Sequence, residues 1–183
     1  SGVNQRGMRS GIEMPAQWVA RHVPLPRTAR HMLDIGGGHG YFSVAICRRY
    51  PQLRSTILDL PEAIQHAAPL LAKEGMGDRI VHRPGNALTD DLGTDVYDLV
   101  FLAAVVHHFD DATNRQLMQR IVRSLKPGGI VAIWEPLRQD PAGKVHQIGG
   151  LMDLFFGLFS EAATWSAAEI ASWFHAAGLK AKK

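Results

Sequence analysis

The segment that decides the fold is residues 33–40, Leu-Asp-Ile-Gly-Gly-Gly-His-Gly, in which an acid stands two positions before the first of four glycines. Residues 31–35 are typical of a β-strand, and residues 41–50 carry apolar side chains at helical spacing. Glycines at alternate positions allow a tight strand-to-helix turn, where a ligand can approach the main chain and the free N–H groups of the helix. The segment therefore predicts an α/β unit with a ligand site at the end of its first strand.

The spacing of the glycines separates this turn from a dinucleotide site. A dinucleotide fingerprint would place its third glycine at position 41, which is Tyr41 in this chain. Asp34 would repel a pyrophosphate, whereas it can accept hydrogen bonds, directly or through water, from a cationic amino-acid group. The alternative is a tight turn that binds no ligand.

Short β-type runs and longer amphipathic stretches alternate from about residue 30, which is typical of β-α-β units and a largely parallel sheet. The unbroken apolar run from Leu99 to Ala104 predicts a strand buried on both faces. We expect a doubly wound, Rossmann-like, three-layer α/β/α domain over residues 29–183, preceded by one or two helices within residues 1–28. The predicted strands are residues 31–35, 55–58, 79–83, 98–104 and 130–134, and the helices include residues 41–50, 61–74 and 147–159, with others starting near residues 110 and 166.

Composition excludes several classes of protein. Of the 183 residues, 46% are hydrophobic and 20% charged, which excludes a disordered or fibrous chain. Basic residues exceed acidic ones by three but are scattered, so neither nucleic acid nor a membrane is predicted as a partner. The single cysteine, Cys47, cannot form an internal disulfide, which favours a reducing, cytoplasmic compartment.

Polar residues follow the second and third predicted strands. Asp59 ends the second strand, where a carboxylate can accept both hydroxyls of a ribose bound across the strand ends. Gly85 and Asn86 follow the third strand, where a side-chain carbonyl can accept from an adenine amine. The alternatives are a solvated acid before Pro61 and an ordinary loop asparagine.

Together these residues resemble a known family. The motifs occur in order at residues 33–40, 57–61, 85–86, 106–111 and 125–129. They are similar to class I S-adenosylmethionine-dependent methyltransferases, and within these to plant-type small-molecule O-methyltransferases and their bacterial, polyketide-tailoring relatives. The resemblance implies a sheet whose last two strands are absent from this chain. It also implies an N-terminal dimerisation domain, hence a homodimer of the full-length protein.

The resemblance implies where S-adenosylmethionine would bind. Its amino-acid part would lie near Asp34, Gly36 and Gly38, and its ribose on Asp59. Its adenine would lie beside four residues of the next two loops, Leu60, Gly85, Asn86 and Ala87. The family usually has aspartate where this chain has Asn86, which keeps an acceptor but not the charge.

The resemblance also implies the catalytic groups. His107 stands in the place of the general base, a task that suits imidazole because it titrates near neutral pH. Glu135 matches the acid that orients the base and stabilises its protonated form. His108 replaces the family's aspartate, where a structural role is favoured, and the alternative is that the two histidines exchange roles. His108, Met152 and Phe156 are expected on the acceptor side.

The sequence thus predicts methyl transfer from S-adenosylmethionine to a hydroxyl of a small aromatic or polyketide-like acceptor, without a metal. Two departures from the family leave alternatives open: Ala103 replaces a lysine, and Thr164 or Trp165 replaces a second acid. The alternatives are C- or N-methylation, chemistry other than methyl transfer on the same scaffold, or a cofactor-binding module without activity.

Overall fold

The computed structural model describes residues 2–138 and 164–180, with side chains from residue 12 onward. A five-stranded parallel sheet has the order β3-β2-β1-β4-β5. Its strands are β1 (His31–Ile35), β2 (Arg54–Asp59), β3 (Ile80–Pro84), β4 (Tyr97–Ala103) and β5 (Leu125–Trp134). The strand order reverses between β1 and β4, which is where open α/β sheets bind ligands. The predicted doubly wound fold is confirmed.

Helices cover both faces of the sheet. They are α1 (Gly2–His22), α2 (Tyr41–Arg49), α3 (Pro61–Ala72), α4 (Asp111–Ser124) and α5 (Ala167–Ala176). The first three contribute to one core and the last two to the other, which gives the predicted three layers. The segment before β1 contains a single helix, whose Ala16, Val19 and Ala20 are buried in the same core as α2. The domain boundary at residue 28 stays a prediction.

The alternating strand residues explain the two cores. In β4, Leu99 and Phe101 face the core of the first three helices, while Val100 and Leu102 face α4 and α5. All four are at most 1% exposed, so β4 is buried on both faces, as its apolar run predicts.

Local sequence signals fix the starts of the helices. Asp110 accepts a hydrogen bond from the main-chain N–H of Thr113 at 2.8 Å and caps α4. Ser166 and Glu169 form the capping box of α5, and Pro61 occupies the first turn of α3. The predicted helix starts at residue 61 and near residues 110 and 166 are confirmed.

Two details differ from the sequence predictions or extend them. The fifth strand, predicted over residues 130–134, begins at Leu125, so Gly128 lies inside β5, where it adopts a φ of +79° and the pairing with β4 shifts register. A short parallel pair, β6 (Leu137–Arg138) with β7 (Trp165–Ser166), was not predicted. The helix predicted at residues 147–159 lies outside the described residues, as do Met152 and Phe156. No helix in the described part of the chain has the length and apolarity needed to cross a membrane.

Candidate active site

The glycine turn after β1 is sterically closed to side chains. Gly36, Gly38 and Gly40 have φ values of +66°, +49° and +74°, a region that favours glycine. A Cβ on Gly36 would lie 2.6 Å from Cγ2 of Val105, and one on Gly37 would lie 2.5 Å from the carboxyl carbon of Asp34. The turn therefore exposes main chain rather than side chains to a ligand.

Two side chains hold the peptide groups on either side of Gly38. Its N–H donates to Oδ2 of Asp59 at 2.9 Å, and its carbonyl lies 2.8 Å from Nε2 of His82, which donates to it. The other carboxylate oxygen of Asp59 accepts from the N–H of Leu60 at 2.8 Å. Each oxygen of this carboxylate retains a lone pair for a ligand hydroxyl. The sequence prediction missed His82, because one histidine in a strand carries no motif.

Asp34 is buried below the glycine turn. Its Oδ2 accepts from the hydroxyl of Ser43 at 2.6 Å, and that hydroxyl lies 2.8 Å from the hydroxyl of Ser55. Its Oδ1 has no hydrogen-bond partner among the described residues. Burial raises the pKa of Asp34 to about 7, with the Ser43 hydrogen bond opposing this and the charge of Asp59 adding to it. The carboxyl group is thus poised to ionise when a cation approaches.

The loop after β3 lies beside Asp59. The N–H of Gly85 donates to the main-chain carbonyl of Asp59 at 3.0 Å, and a Cβ on Gly85 would lie 2.5 Å from Oδ2 of Asp90. Oδ1 of Asn86 accepts from the N–H of Leu88 at 2.9 Å, so this side chain also shapes the loop. Leu60 is 50% exposed at the same edge of the sheet, an apolar surface suited to a flat ring.

The ends of β4 and β5 bring the two predicted catalytic residues together. Ala103 pairs with Trp134, and the N–H of Ala104 donates to the carbonyl of Trp134 at 2.9 Å. Just beyond these residues, Nδ1 of His107 lies 2.9 Å from Oε2 of Glu135. The side chains of His107 and Glu135 are 7% and 3% exposed.

Glu135 accepts three hydrogen bonds. Its Oε1 accepts from the N–H groups of Val105 and Val106, and its Oε2 accepts from Nδ1 of His107. An ionised carboxylate only accepts, so the shared proton belongs to Nδ1. The lone pair of the neutral imidazole is then on Nε2, as a general base requires.

His108 lies beside His107, with ring centroids 4.1 Å apart. Burial lowers the pKa of His108, protonation of the neighbouring His107 ring would lower it further, and Glu135 raises it. His108 is therefore favoured as a neutral group that can hydrogen-bond a ligand. Its predicted place on the acceptor side stays a prediction.

Two further observations concern metal binding and a groove elsewhere in the molecule. Within residues 2–138 and 164–180, no group of three or more His, Cys, Asp or Glu side chains could hold a metal ion. A groove of about 320 Å³ between α1 and α2 has none of the predicted site residues on its walls.

Comparison with known proteins shows the family to which this sequence belongs. The sequence matches the O-methyltransferase domain family over residues 3–180. The chain belongs to this family.

Two curated relatives of this O-methyltransferase domain come from Streptomyces. The 3-hydroxy-5-methyl-1-naphthoate 3-O-methyltransferase of Streptomyces sahachiroi is 31% identical over 94% of this chain and 49% of its own length. The L-tyrosine C(3)-methyltransferase of Streptomyces lavendulae is 30% identical over 73% of this chain and 36% of its own length. The chain thus spans half or less of each relative.

A solved structure confirms the fold. The mitomycin 7-O-methyltransferase MmcR superposes with a TM-score of 0.83 and 26% identity, over 97% of this chain and 51% of that one. In this O-methyltransferase domain, the predicted cofactor residues and the His107–Glu135 pair gather at the carboxyl ends of the strands. Sequence reasoning missed Asn114, and it considered Trp165 only at the position of the family's second acid. Both side chains donate to the turn that carries His107.

Proposed function

We propose that this O-methyltransferase domain transfers a methyl group from S-adenosylmethionine to a hydroxyl of a small aromatic or polyketide-like acceptor, with His107 as general base. One observation carries the proposal: the His107–Glu135 pair is connected to the glycine turn through Val105, whose N–H donates to Glu135. The side chain of Val105 fills the space that a Cβ on Gly36 would need.

The residues at the strand ends fit this cofactor. Asp34 has a buried oxygen that lacks a partner among the described residues, suited to a cationic amino group. Asp59 offers two carboxylate oxygens to ribose hydroxyls, and Leu60 offers an exposed apolar surface to adenine. Gly36 and Gly38 would lie along the amino-acid part, and Gly85, Asn86 and Ala87 beside the adenine. When bound, S-adenosylmethionine supplies an electrophilic methyl group on a positively charged sulfur.

His107 and Glu135 supply the proton transfer. Nε2 of His107 would take the proton of the acceptor hydroxyl as that oxygen bonds to the methyl carbon and the carbon–sulfur bond breaks, which would leave S-adenosylhomocysteine. Glu135 would stabilise the imidazolium through the 2.9 Å contact at Nδ1. General base catalysis of this kind raises a reaction rate about 10²- to 10⁴-fold, and alignment of the two reactants raises it further.

The relatives define the acceptor to test. One relative is named for O-methylation of a hydroxynaphthoate, which supports an aromatic hydroxyl. Another is named for C-methylation of L-tyrosine, which favours transfer to an aromatic carbon as the second candidate.

Binding and turnover test the proposal separately. Isothermal titration of the chain with S-adenosylhomocysteine should show binding, and binding of NAD instead would overturn the cofactor assignment. The full-length protein should label hydroxynaphthoates or simple phenols from methyl-labelled S-adenosylmethionine. Mass spectrometry of the products would distinguish oxygen from carbon as the acceptor atom. Binding without turnover across that panel would favour a module without activity.

The variant His107→Ala tests the base. Turnover should fall at least about 10²-fold, since the proton acceptor is lost, while affinity for S-adenosylhomocysteine stays within about twofold. Turnover equal to that of the wild type would remove His107 from the role.

The remaining parts of the proposal concern the whole protein. A homodimer of the full-length protein and a cytoplasmic location are supported by the family resemblance and by the buried, unpaired Cys47. Sedimentation velocity of the full-length protein should give a dimer, and a concentration-independent monomer would contradict that part.

A further inference from the structure

The turn that carries His107 is held through its main chain from two opposite sides. Glu135 accepts from the N–H groups of Val105 and Val106. From the other side, the carbonyl of Val106 accepts from Nδ2 of Asn114 at 3.0 Å and from Nε1 of Trp165 at 3.1 Å. The peptide group that immediately precedes His107 is therefore fixed by α4 and by β7.

Asn114 makes a second contact with the same turn. Its Nδ2 also donates to the carbonyl of Phe109 at 3.1 Å, so one amide group spans the turn from residue 106 to residue 109. Both neighbouring groups are carbonyls, which only accept, and this fixes which way the amide faces. Asn114 is fully buried in the first turns of α4.

Burying the amide oxygen of Asn114 costs free energy. Its Oδ1 is buried and lacks a hydrogen-bond partner among the described residues. An apolar side chain of similar size would avoid the cost of burying this oxygen. The two N–H bonds to the turn are therefore the contribution that favours asparagine at this position.

Trp165 is itself held in place by aromatic packing. Its ring contacts that of Trp173 edge to face, with centroids 5.1 Å apart. Trp173 in turn donates from Nε1 to Oδ1 of Asp111 at 2.7 Å. The N–H of Trp165 thus approaches the Val106 carbonyl from a fixed ring.

We propose that Asn114 and Trp165 are positioning residues for His107. By fixing the Val106 carbonyl they keep the turn in the one orientation in which Nδ1 of His107 reaches Glu135. The tautomer with the proton on Nδ1 depends on that contact. The consequence for turnover rests on the proposed function, whereas the consequence for the tautomer concerns the chain alone.

Two variants and a matched control test this role. Asn114→Leu removes both amide donors, and Trp165→Phe removes one N–H while keeping an aromatic ring. Ser124→Ala is the control, because Ser124 is also fully buried on α4 and donates to a main-chain carbonyl, that of Ile121. Thermal unfolding first establishes that each variant folds.

The primary measurement is ¹⁵N NMR of the histidine rings of the 183-residue chain without ligand. His107→Ala assigns the His107 signals among the nine histidines. Wild type and Ser124→Ala should show the proton on Nδ1. Asn114→Leu and Trp165→Phe should show a mixture of the two tautomers.

Turnover of the full-length protein with the best phenol of the acceptor panel is the second measurement. The value of kcat should fall by about 10- to 10²-fold in Asn114→Leu, and less in Trp165→Phe, while KM and affinity for S-adenosylhomocysteine stay within twofold. An unchanged tautomer in a folded Asn114→Leu and in Trp165→Phe would overturn the proposal. If Asn114→Leu does not fold, Trp165→Phe decides the outcome. Failure of S-adenosylhomocysteine to bind would overturn the proposed function and leave the tautomer result standing.

Discussion

At the scale of single residues, Glu135→Gln replaces the carboxylate by an amide and keeps the size of the side chain. In Glu135→Gln the amide oxygen can still accept from Val105 and Val106, but the amide nitrogen would face Nδ1 of His107. Nδ1 must then accept, so the ring proton moves to Nε2 and the base loses its lone pair.

We expect kcat of Glu135→Gln to fall by about 10³- to 10⁴-fold, as tautomer inversion does in serine proteases. Affinity for S-adenosylhomocysteine, measured by titration calorimetry, should be unchanged, because Glu135 is not among the predicted cofactor residues. Turnover within tenfold of wild type would show that the His107 tautomer is not set by Glu135.

Asp34 predicts a pH-dependent affinity for the cofactor. Burial raises its pKa to about 7, so the carboxyl group of the free protein takes up a proton as the pH falls below that value. A cationic amino group binds the ionised form, which lowers this pKa and releases a proton on binding.

Affinity for S-adenosylhomocysteine should therefore rise as the pH increases from about 6 to 8, with proton release near pH 6. Calorimetry in buffers of different ionisation enthalpy measures both quantities. Asp34→Asn should bind more weakly and lose the pH dependence. An equal pH dependence in that variant would assign it to another group.

At the scale of elements, the end of β4 stores backbone strain. Ala104 adopts a φ of +55°, and its N–H donates to the carbonyl of Trp134 at the point where the chain leaves the sheet for the His107 turn. A non-glycine residue in this region costs about 1 kcal/mol. The strain lies next to the predicted base, as is common at functional sites.

Ala104→Gly should raise the free energy of unfolding by about 0.5 kcal/mol, less than the full strain because glycine also gains entropy in the unfolded chain. Denaturant unfolding measures this. Ala103→Gly, one residue earlier in regular β-structure, is the matched control. Its free energy of unfolding should fall by about 0.5–1 kcal/mol. Equal losses in both variants would contradict strain at Ala104.

The same elements show what the sequence can predict. The glycine turn, the capping residues and β4 are each encoded in contiguous residues, so local rules were sufficient for them. The approach of His107 to Glu135 was implied by the family resemblance, and it agrees with the rule that parallel strands end at the same edge. The hydrogen bonds of His82 and Trp165 were not predicted, because these side chains donate to carbonyls 44 and 59 positions away and their neighbours in sequence do not indicate such contacts.

At the scale of the whole molecule, the two ends of the sheet have different tasks. The candidate site occupies the carboxyl ends of the strands. At the opposite end, Oδ2 of Asp98 accepts from the N–H groups of Arg30 and His31 and from Nζ of Lys126, each at 2.9 Å. One carboxylate thus joins the starts of β1, β4 and β5.

This carboxylate should support stability without affecting the site. Partial burial alone would raise the pKa of Asp98, but the hydrogen bonds from Lys126, Arg30 and His31 and the charge of Lys126 together lower it. A depressed pKa stabilises the folded state above the unfolded value near 4, and the contribution is lost as the pH falls through the folded value.

Asp98→Ala should therefore lower the free energy of unfolding by about 1–3 kcal/mol at pH 7, and by less as the pH falls below about 4. Urea unfolding of Asp98→Ala and wild type at pH 7 and at a pH below about 4 measures this difference. Asp78→Ala is the control, because its ion pair with Arg54 is solvent-exposed and should contribute little. Affinity for S-adenosylhomocysteine should be unchanged in both variants, since the start of β1 lies a full strand length from the glycine turn. A loss of affinity in Asp98→Ala in proportion to its loss of stability would show instead that the two ends of the sheet are coupled.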